Sequence, residues 1–256
     1  MKMNPSEGRF PGVWAGRILP GATQHSEASA MAKQYVSNKD VSVRMFQRDW
    51  MEFFSHVHWT VPHVIYIPVI VVTLALAARG GLPATAVVGY ALLGVLLWTP
   101  MEYFAHRFVF HAGPTIETEV RDIVADLPPG EPALQHMKTF RQRHYFIAHG
   151  VHHDFPNDTK RLVMPPSVSI PLAIVFFFLF RWVAGPSIGL AVFAGFVAGY
   201  LVYDTIHYAV HHFSLHNPVL LYLKKHHYRH HYNDSTKDFG VSNPTWDFVM
   251  GTYSRR

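Results

Sequence analysis

The 256-residue chain contains no cysteine and few charged residues. Without cysteine there can be no disulfide framework, zinc–thiolate site, iron–sulfur cluster or cysteine nucleophile. Charged side chains make up 15% of the sequence, whereas an ordinary soluble domain has about 25%. Because apolar residues make up 49%, the composition excludes a disordered chain and disfavours a purely water-soluble globule.

The net charge of +5 raises the question of a nucleic-acid partner. No helix-turn-helix, zinc-finger or aromatic–basic recognition signature accompanies the basic residues, and we expect no nucleic-acid binding. Lysine and arginine concentrate instead in residues 1–60, 100–166 and 204–256, which together hold 20 of the 22. This partition indicates that the basic residues lie on one side of a membrane.

Four long uncharged runs separate the basic regions. They are residues 59–78, 82–101, 163–180 and 182–203. A helix of about 18–22 residues rises roughly 27–33 Å, which matches the hydrocarbon thickness of a bilayer. Trp59, Trp98, Trp182 and Tyr203 lie near the ends of the runs, as residues of an interfacial aromatic belt do. The sequence therefore predicts an all-α membrane protein with four transmembrane helices.

Two three-residue links, 79–81 and 185–187, join these runs in pairs. Short links imply antiparallel hairpins, so both links face one side and both termini face the other. The positive-inside rule places the more basic second side in the cytoplasm. The predicted organisation is a cytoplasmic N-terminal segment with an interfacial helix (1–58), a first transmembrane hairpin (59–101), a cytoplasmic helical cap that begins with 102–162, a second transmembrane hairpin (163–203) and the remainder of the cap (204–256). Within the N-terminal segment, residues 1–35 are predicted to be irregular.

Histidine is the most unusual component, because its 19 residues outnumber the 17 acidic ones. Four clusters, HRFVFH, HGVHH, HYAVH and HYRHH, lie in the predicted cap. The clusters contain His106, His111, His149, His152, His153, His207, His211, His227, His230 and His231. The other histidines lack this spacing. We expect His25, His56, His58, His63, His136 and His216 to be unrelated to the site, and His144, His212 and His226 to lie around it or in solvent.

The spacing of the clusters is typical of metal ligands. Residues three or four apart share a helix face, so two histidines of each triplet can bind one metal while the third reaches a second. His106 and His111 lie about 140° apart on a regular helix. They need a local bulge, a helix end or two different metals. Ten histidines exceed one tetrahedral zinc site and predict two metals, but imidazole also suits iron, copper and nickel.

Two carboxylates have the helical spacing to orient ligand rings. Glu102 precedes His106 by four residues, and Asp204 precedes His207 by three. Carboxylates in such positions fix the tautomer and orientation of a metal-bound imidazole. The alternative for both is a solvated or helix-end acid.

An insert between the first two clusters predicts an additional helix. Thr115 is the predicted N-cap, and Glu117 and Glu119 fall in the first turn. One apolar face is predicted to contain Ile116, Val120, Ile123, Val124 and Leu127. The insert is either an amphipathic helix packed on the cap, a cover over the site, or a docking patch for a basic redox partner.

The four clusters, in order and spacing, resemble the histidine boxes of the fatty acid hydroxylase/sterol desaturase superfamily. Other segments resemble the fatty acid 2-hydroxylases, which act on acyl chains of ceramide-type sphingolipids. These segments are FQRDWMEFFSHVHWTVPHVIYIP (46–68), HHDFPNDTKRLVMPP (152–166), YDTIHYAVHH (203–212), LKKHHYRHHY (223–232) and FGVSNPTWDFVMGT (239–252).

The resemblance implies a membrane di-iron monooxygenase that hydroxylates a long acyl chain at C2, on ceramide or on free fatty acid. It implies that the ten histidines hold two iron ions, which zinc can replace in purified material. Tyr203 and Asp204 would lie beside the metals near the substrate carbon. The resemblance also implies dioxygen and external reducing equivalents. The predicted spans leave two locations open, the bacterial inner membrane and the endoplasmic reticulum.

Two features depart from the family pattern. No haem-binding His-Pro-Gly-Gly motif precedes the first span. We therefore expect a separate electron donor, either a b-type cytochrome or a ferredoxin-like protein. The interval between His111 and His149 is also longer than the family pattern leads us to expect.

Three rival functions remain open from the sequence. A sterol or carotenoid oxidase or desaturase would share the boxes but not the flanking segments. A transition-metal transporter would carry polar ligands near the bilayer midplane, where the last three runs have none. A membrane zinc hydrolase would need only three protein ligands.

Overall fold

The computed structural model describes residues 34–255, which are helical and contain no strand. His25 and nearly all of the segment predicted to be irregular lie outside the described residues. The α-helices of the described residues are α1 (Asp49–Ser55), α2 (Val61–Arg79), α3 (Ala84–Phe104), α4 (Pro114–Ala125), α5 (Phe140–Tyr145), α6 (Val151–Asp154), α7 (Pro166–Ala184), α8 (Pro186–His212), α9 (Pro218–Tyr232) and α10 (Thr245–Met250). Two π-helical segments, Ala105–Phe110 and Phe146–Gly150, and a 3₁₀ turn, Ala133–His136, complete the described helices.

Four helices, α2, α3, α7 and α8, are long and apolar enough to cross a membrane. They correspond to the four predicted runs, and they indicate an integral, multi-pass membrane protein. Helix α8 does not end with its uncharged run at Tyr203 but continues to His212. One unbroken helix therefore joins the spanning region to two of the histidines.

Helix α8 is the central helix of the bundle. Within its most apolar stretch 67% of the residues are buried, against 22%, 11% and 6% for α2, α3 and α7. Small residues allow α3 and α8 to approach closely, as is common between membrane helices. A Cβ atom on Gly195 would collide with the backbone carbonyl of Ala91, and one on Gly94 with that of Val192.

Both hairpin links lie at the same end of the bundle, as predicted. Gly81 has φ +94° and Gly185 has φ +82°, values in the left-handed region that favours glycine. The Ser187 hydroxyl donates to the carbonyl of Gly80 across 3.1 Å, so the two links touch. The histidine-bearing ends of α3 and α8 therefore lie at the opposite end.

Helix α4 forms the insert and packs on the histidine-bearing region. Val120 and Val124 on its apolar face are buried in a core that also contains Met137 and Phe146. The predicted N-cap at Thr115 is wrong. The helix begins at Pro114 after Gly113, because proline has no N–H to satisfy and its φ suits the first helical position.

The membrane orientation remains a prediction that cysteine labelling can test. The chain has no native cysteine, and both Arg79 at one link and Lys225 on α9 are exposed. We expect a membrane-impermeant thiol reagent to label Arg79→Cys in intact cells. Lys225→Cys should react only after the membrane is opened. Labelling of both positions from the same side would contradict the bundle topology.

Candidate metal centre

The structure brings the ten clustered histidines together in two groups. The first group contains His106, His111, His149, His153 and His230, and the second contains His152, His207, His211, His227 and His231. Within each group the candidate ligand nitrogens all lie within 4.8 Å of one another. The groups are adjacent, because the ring of His153 stacks on that of His231 at a centroid distance of 4.2 Å.

The triplets divide between the groups as their spacing allows. His149 and His153, four residues apart, join the first group, and His152 joins the second. His227 and His231 join the second group, and His230 joins the first. Each triplet therefore contributes to both groups and fixes their separation.

The five-residue interval between His106 and His111 is accommodated by a π-helical segment. Residues Ala105–Phe110 are π-helical. A π-helix pairs residues five apart and so removes most of the angular difference that a regular helix would impose. Both histidines belong to one group, and His111 follows the last π-helical residue in an extended conformation, so a local bulge and a helix end, two of the three possibilities left open by the sequence, are both observed.

The imidazoles are shielded from water, and burial favours the neutral form of most of them. Nine of the ten are buried, and the His111 side chain is 5% exposed. Burial, assisted by the neighbouring imidazoles, lowers the pKa well below its usual value at His149, His152, His153, His227, His230 and His231. Neutral imidazole is the form that binds a metal.

Hydrogen bonds determine which ring nitrogen carries the proton in the first group. A carbonyl or carboxylate oxygen can only accept. The Nδ1 atoms of His106, His111 and His230 must therefore be protonated, because they donate to Phe239 O, Glu117 Oε1 and Lys237 O respectively. In a neutral ring with this tautomer the Nε2 atom carries a lone pair and no hydrogen.

These lone pairs converge on one another. The Nε2 atoms of His111 and His230 are 3.1 Å apart, although neither carries a proton to share. Such a contact is repulsive unless a cation lies between the nitrogens. At a metal–nitrogen distance of about 2.1 Å, ligands at right angles are roughly 3.0 Å apart. The donor set therefore fits a metal ion.

The second group has the same convergence with fewer orienting contacts. Nε2 separations are 3.0 Å between His152 and His207 and 2.9 Å between His211 and His227. Both ring nitrogens of His231 are buried and lack a hydrogen-bond partner among the described residues. A buried polar atom without a partner is unfavourable, and a metal ion would give the His231 ring one. The two groups together are consistent with a di-metal site.

Among the described residues no hydrogen bond joins Glu102 to His106, the contact that the sequence predicted. Its carboxylate accepts hydrogen bonds from the backbone amides of Val241 and Ser242, both at 2.7 Å, and from the Ser242 hydroxyl. The nearby Phe239 carbonyl orients His106 instead. Glu102 therefore supports His106 indirectly. Its carboxylate holds the backbone amides of residues 241 and 242, in the same loop as the Phe239 carbonyl that accepts from His106.

That loop, residues 237–242, is held by two further carboxylates that the sequence did not reveal. Asp247 accepts from the amides of Phe239 and Gly240, each at 2.8 Å, and from buried His226 at 3.0 Å. Asp238 has φ +55° and accepts from Arg229 at 2.9 Å. The residues on either side of Asp238 supply the carbonyls that fix His230 and His106.

Asp204 and Tyr203 lie between the second histidine group and an apolar cleft. The Tyr203 ring is 5.7 Å from that of His207. Asp204 is 2% exposed and lies near Tyr200 and the backbone of Met164. No hydrogen bond from Asp204 to His207 occurs in the described residues of the chain. The predicted orienting contact is therefore not observed, and along α8 both residues lie between the cleft-lining Tyr200 and His207.

Comparison with known proteins assigns the chain to a family. Residues 132–252 match the pattern described as "Fatty acid hydroxylase". A dihydroceramide fatty acyl 2-hydroxylase of Arabidopsis thaliana is 33% identical over 209 residues, 82% of this chain and 79% of that protein. The chain belongs to the fatty acid hydroxylase family. The fatty acid 2-hydroxylase of Mus musculus is 31% identical over 230 residues, 82% of this chain and 56% of that protein.

A solved structure shows the same fold. The hydroxylase domain visible in a structure of full-length scs7p is 32% identical and superposes with a TM-score of 0.66, over 80% of this chain and 70% of that chain. This family member therefore shares both sequence and architecture with a known hydroxylase domain.

Helix α4 supports the metal centre of this fatty acid hydroxylase, although it precedes the matched residues 132–252. Glu117 is buried and accepts from His111 Nδ1 at 2.9 Å. Burial opposes ionisation of Glu117, but hydrogen bonds from His111, Ser235 and Gly113 bring its pKa below the ordinary value. Arg121 pairs with Asp154 at 3.2 Å. Glu117 and Arg121 of α4 thus face the histidine groups and not solvent, and the sequence did not predict this orientation.

The remaining described histidines lie outside the two groups. His58, His136, His144 and His216 are exposed. His63 contacts Thr205, and His56 contacts Arg161. His212 packs on Tyr208, whereas His226 supports the 237–242 loop.

Removal of a single histidine should empty one group and spare the other. We expect His230→Ala to lose the metal of the first group and His227→Ala that of the second, because each loses a convergent Nε2 donor. Metal content per chain, measured by elemental mass spectrometry, checks this. Exposed His136→Ala is the control. Full metal content in both group variants would contradict the assignment.

Neutralising Glu117 should weaken the first group alone. Glu117→Gln keeps the size of the side chain but removes the charge that accepts from His111. We expect affinity at the first group to fall about 10–100-fold, measured by competition with a chelator. Asp122→Asn, an exposed change on the same helix, should have no effect. Equal losses in both variants would show that α4 acts only through general electrostatics.

Proposed function

We propose that this protein is a membrane di-iron monooxygenase that hydroxylates a long acyl chain at C2, the carbon beside the carbonyl. The observation that carries the proposal is one continuous face of α8. Residues at intervals of three and four share a helix face, and this face contains Phe193, Val197, Tyr200, Asp204, His207 and His211. It leads from an apolar cleft to the second histidine group.

The cleft has the character of an acyl-chain site. Helices α2, α3, α7 and α8 all contribute to it, and its apolar lining includes Leu172, Phe176 and Phe193. The cleft itself has a volume of about 60 Å³ and can hold only part of a long chain. Helix α8 rises about 21 Å from Phe193 to His207, and the proposal requires the rest of the chain to follow this face toward the metals. Helix α7 is mostly exposed on its outer surface, which supports entry of the chain from the bilayer.

The polar groups of the cleft favour an amide-linked acyl chain over a free fatty acid. The Trp98 indole N–H is buried without a hydrogen-bond partner in the described region, and the buried Tyr66 and Tyr200 hydroxyls lie near Ser169 and Asp204. They can donate to a neutral carbonyl. No lysine or arginine is found among the described lining residues, and Asp204 lies close by. A free carboxylate would therefore remain unpaired, which is costly in an apolar site.

The ten histidines would hold the two iron ions. When bound, the metals supply activation of dioxygen, so that one oxygen atom enters the C2–H bond and the other leaves as water, with two electrons and two protons consumed. The chain itself positions the substrate, excludes water from a buried site and holds each imidazole as a neutral ligand. Conversion of the C2–H bond to C2–OH is a two-electron oxidation that acid–base side chains cannot perform by themselves, which supports metal-assisted oxidation.

The relatives support the choice of C2 and of a ceramide-type substrate. The Arabidopsis thaliana relative is a dihydroceramide fatty acyl 2-hydroxylase, and a Schizosaccharomyces pombe relative that is 31% identical is a ceramide very long chain fatty acid hydroxylase. We further propose that a separate b-type cytochrome or ferredoxin-like protein delivers the electrons. The metal centre would face the cytoplasm, in the bacterial inner membrane or the endoplasmic reticulum.

Isotope labelling tests the reaction. Iron-loaded protein, a reductant and labelled oxygen gas should give a ceramide whose acyl C2 carries a labelled hydroxyl, identified by fragment mass. A labelled hydroxyl on a sterol or carotenoid would support an oxygenase but contradict the proposed acyl substrate. A double bond without label in the lipid would identify a desaturase. Absence of oxygen consumption would favour a metal transporter.

A substitution within the cleft tests the acyl site. Val197 lines the cleft on α8, whereas Val202 on the same helix is 54% exposed on its outer surface. We expect Val197→Phe to lower hydroxylation of long acyl chains more than of short ones, because the added ring narrows the cleft. Val202→Phe should leave both rates unchanged. Equal effects on both chain lengths would contradict the assignment of the cleft.

A further inference from the structure

A second cavity lies on the other side of the segment that connects α6 to α7. It is bounded by α1, by the helical run 146–154 and by the first residues of α7, and its volume is about 290 Å³, close to the smallest ligand pockets at about 300 Å³. Val163, Pro165 and Ser167 line it, whereas Met164 and Ser169 line the acyl cleft, and no described residue lines both. The cavity is therefore distinct from the proposed substrate site.

The mouth of this cavity is apolar. Trp50 and Phe54 of α1 are 60% and 59% exposed, and Ile147 and Val168 are 44% and 43% exposed. Large exposed apolar groups around one opening indicate a binding surface rather than a solvated one. Because α7 is a spanning helix that begins at Pro166, the opening lies where the membrane ends. Lipid is the apolar material available there.

The inner end of the cavity is polar but balanced in charge. The side chain of Arg161 is 2% exposed, and it pairs with Glu52 and donates to the carbonyl of Val43. The Arg161 Nε atom is buried and has no hydrogen-bond partner among residues 34–255. A ligand can therefore gain one donor here, but no net positive charge, because the Glu52 carboxylate already neutralises the guanidinium.

We propose that this cavity binds a membrane lipid with no net charge, whose ester or amide carbonyl accepts from Arg161 and whose hydrocarbon chain leaves between α1 and α7. Ile147 and Val151 line the cavity and belong to the helical run that carries His149, His152 and His153. A bound lipid would thus pack against the back of the metal centre. The inference does not depend on the proposed reaction.

Native mass spectrometry of the full-length protein in mild detergent tests the proposal. Phosphatidylcholine is the zwitterionic probe, and phosphatidylglycerol with the same chains is the anionic one. We expect one phosphatidylcholine to bind about tenfold more tightly than phosphatidylglycerol. Equal or tighter binding of the anionic lipid would overturn the assignment of an uncharged ligand.

Two variants locate the bound lipid. Ser167→Phe fills the mouth of the cavity and should weaken phosphatidylcholine binding about tenfold. Arg161→Lys keeps the positive charge beside Glu52 but removes Nε, and it should lower affinity in the same direction. Val175→Phe, on the exposed surface of the same helix, should retain wild-type binding. Unchanged affinity in Ser167→Phe would overturn the site, whether or not the protein hydroxylates lipids.

Discussion

The mutual approach of neutral imidazole nitrogens is the constraint on which the rest of the structure depends. At least three rings of the first group expose Nε2 lone pairs toward a common point, because carbonyl and carboxylate acceptors occupy their Nδ1 protons. Lone pairs at such distances repel unless a cation joins them. The fold therefore has to hold the rings of the first group against their own repulsion, and it does so from three directions: the segment that follows α3, the run 146–154 and α9.

The supporting contacts explain how a cap without disulfides can keep this arrangement. Glu102, Asp238 and Asp247 hold the 237–242 loop, and that loop presents carbonyl oxygens to two histidines. Glu117 contacts a third histidine directly from α4. Backbone carbonyls thus take the orienting role that carboxylates often have in metal sites, while the carboxylates position the backbone. Substitutions in this loop would change the orientation of His106 and His230, although the loop itself contains no histidine ligand.

Helix α8 extends from the membrane-spanning bundle to the second histidine group. It is buried among the other spanning helices, it lines the apolar cleft and it carries His207 and His211. A substrate that enters from the bilayer would move along this helix toward the metals without crossing bulk water. Two separate cavities lie along the 163–169 segment, and no described residue lines both.

The sequence by itself determined the elements whose signal is local. Four uncharged runs predict four spanning helices because the bilayer sets their length, and H-x-x-H-H spacing predicts metal ligands because the helix repeat sets which rings share a face. Tertiary structure decided the rest. A departure from regular helix brings His106 and His111 into one group. Glu102 binds the 237–242 loop and not a histidine ring, and Glu117, His226 and Asp247 support the site through residues distant in sequence. No local periodicity encodes such contacts, because they arise only when separate helices pack together.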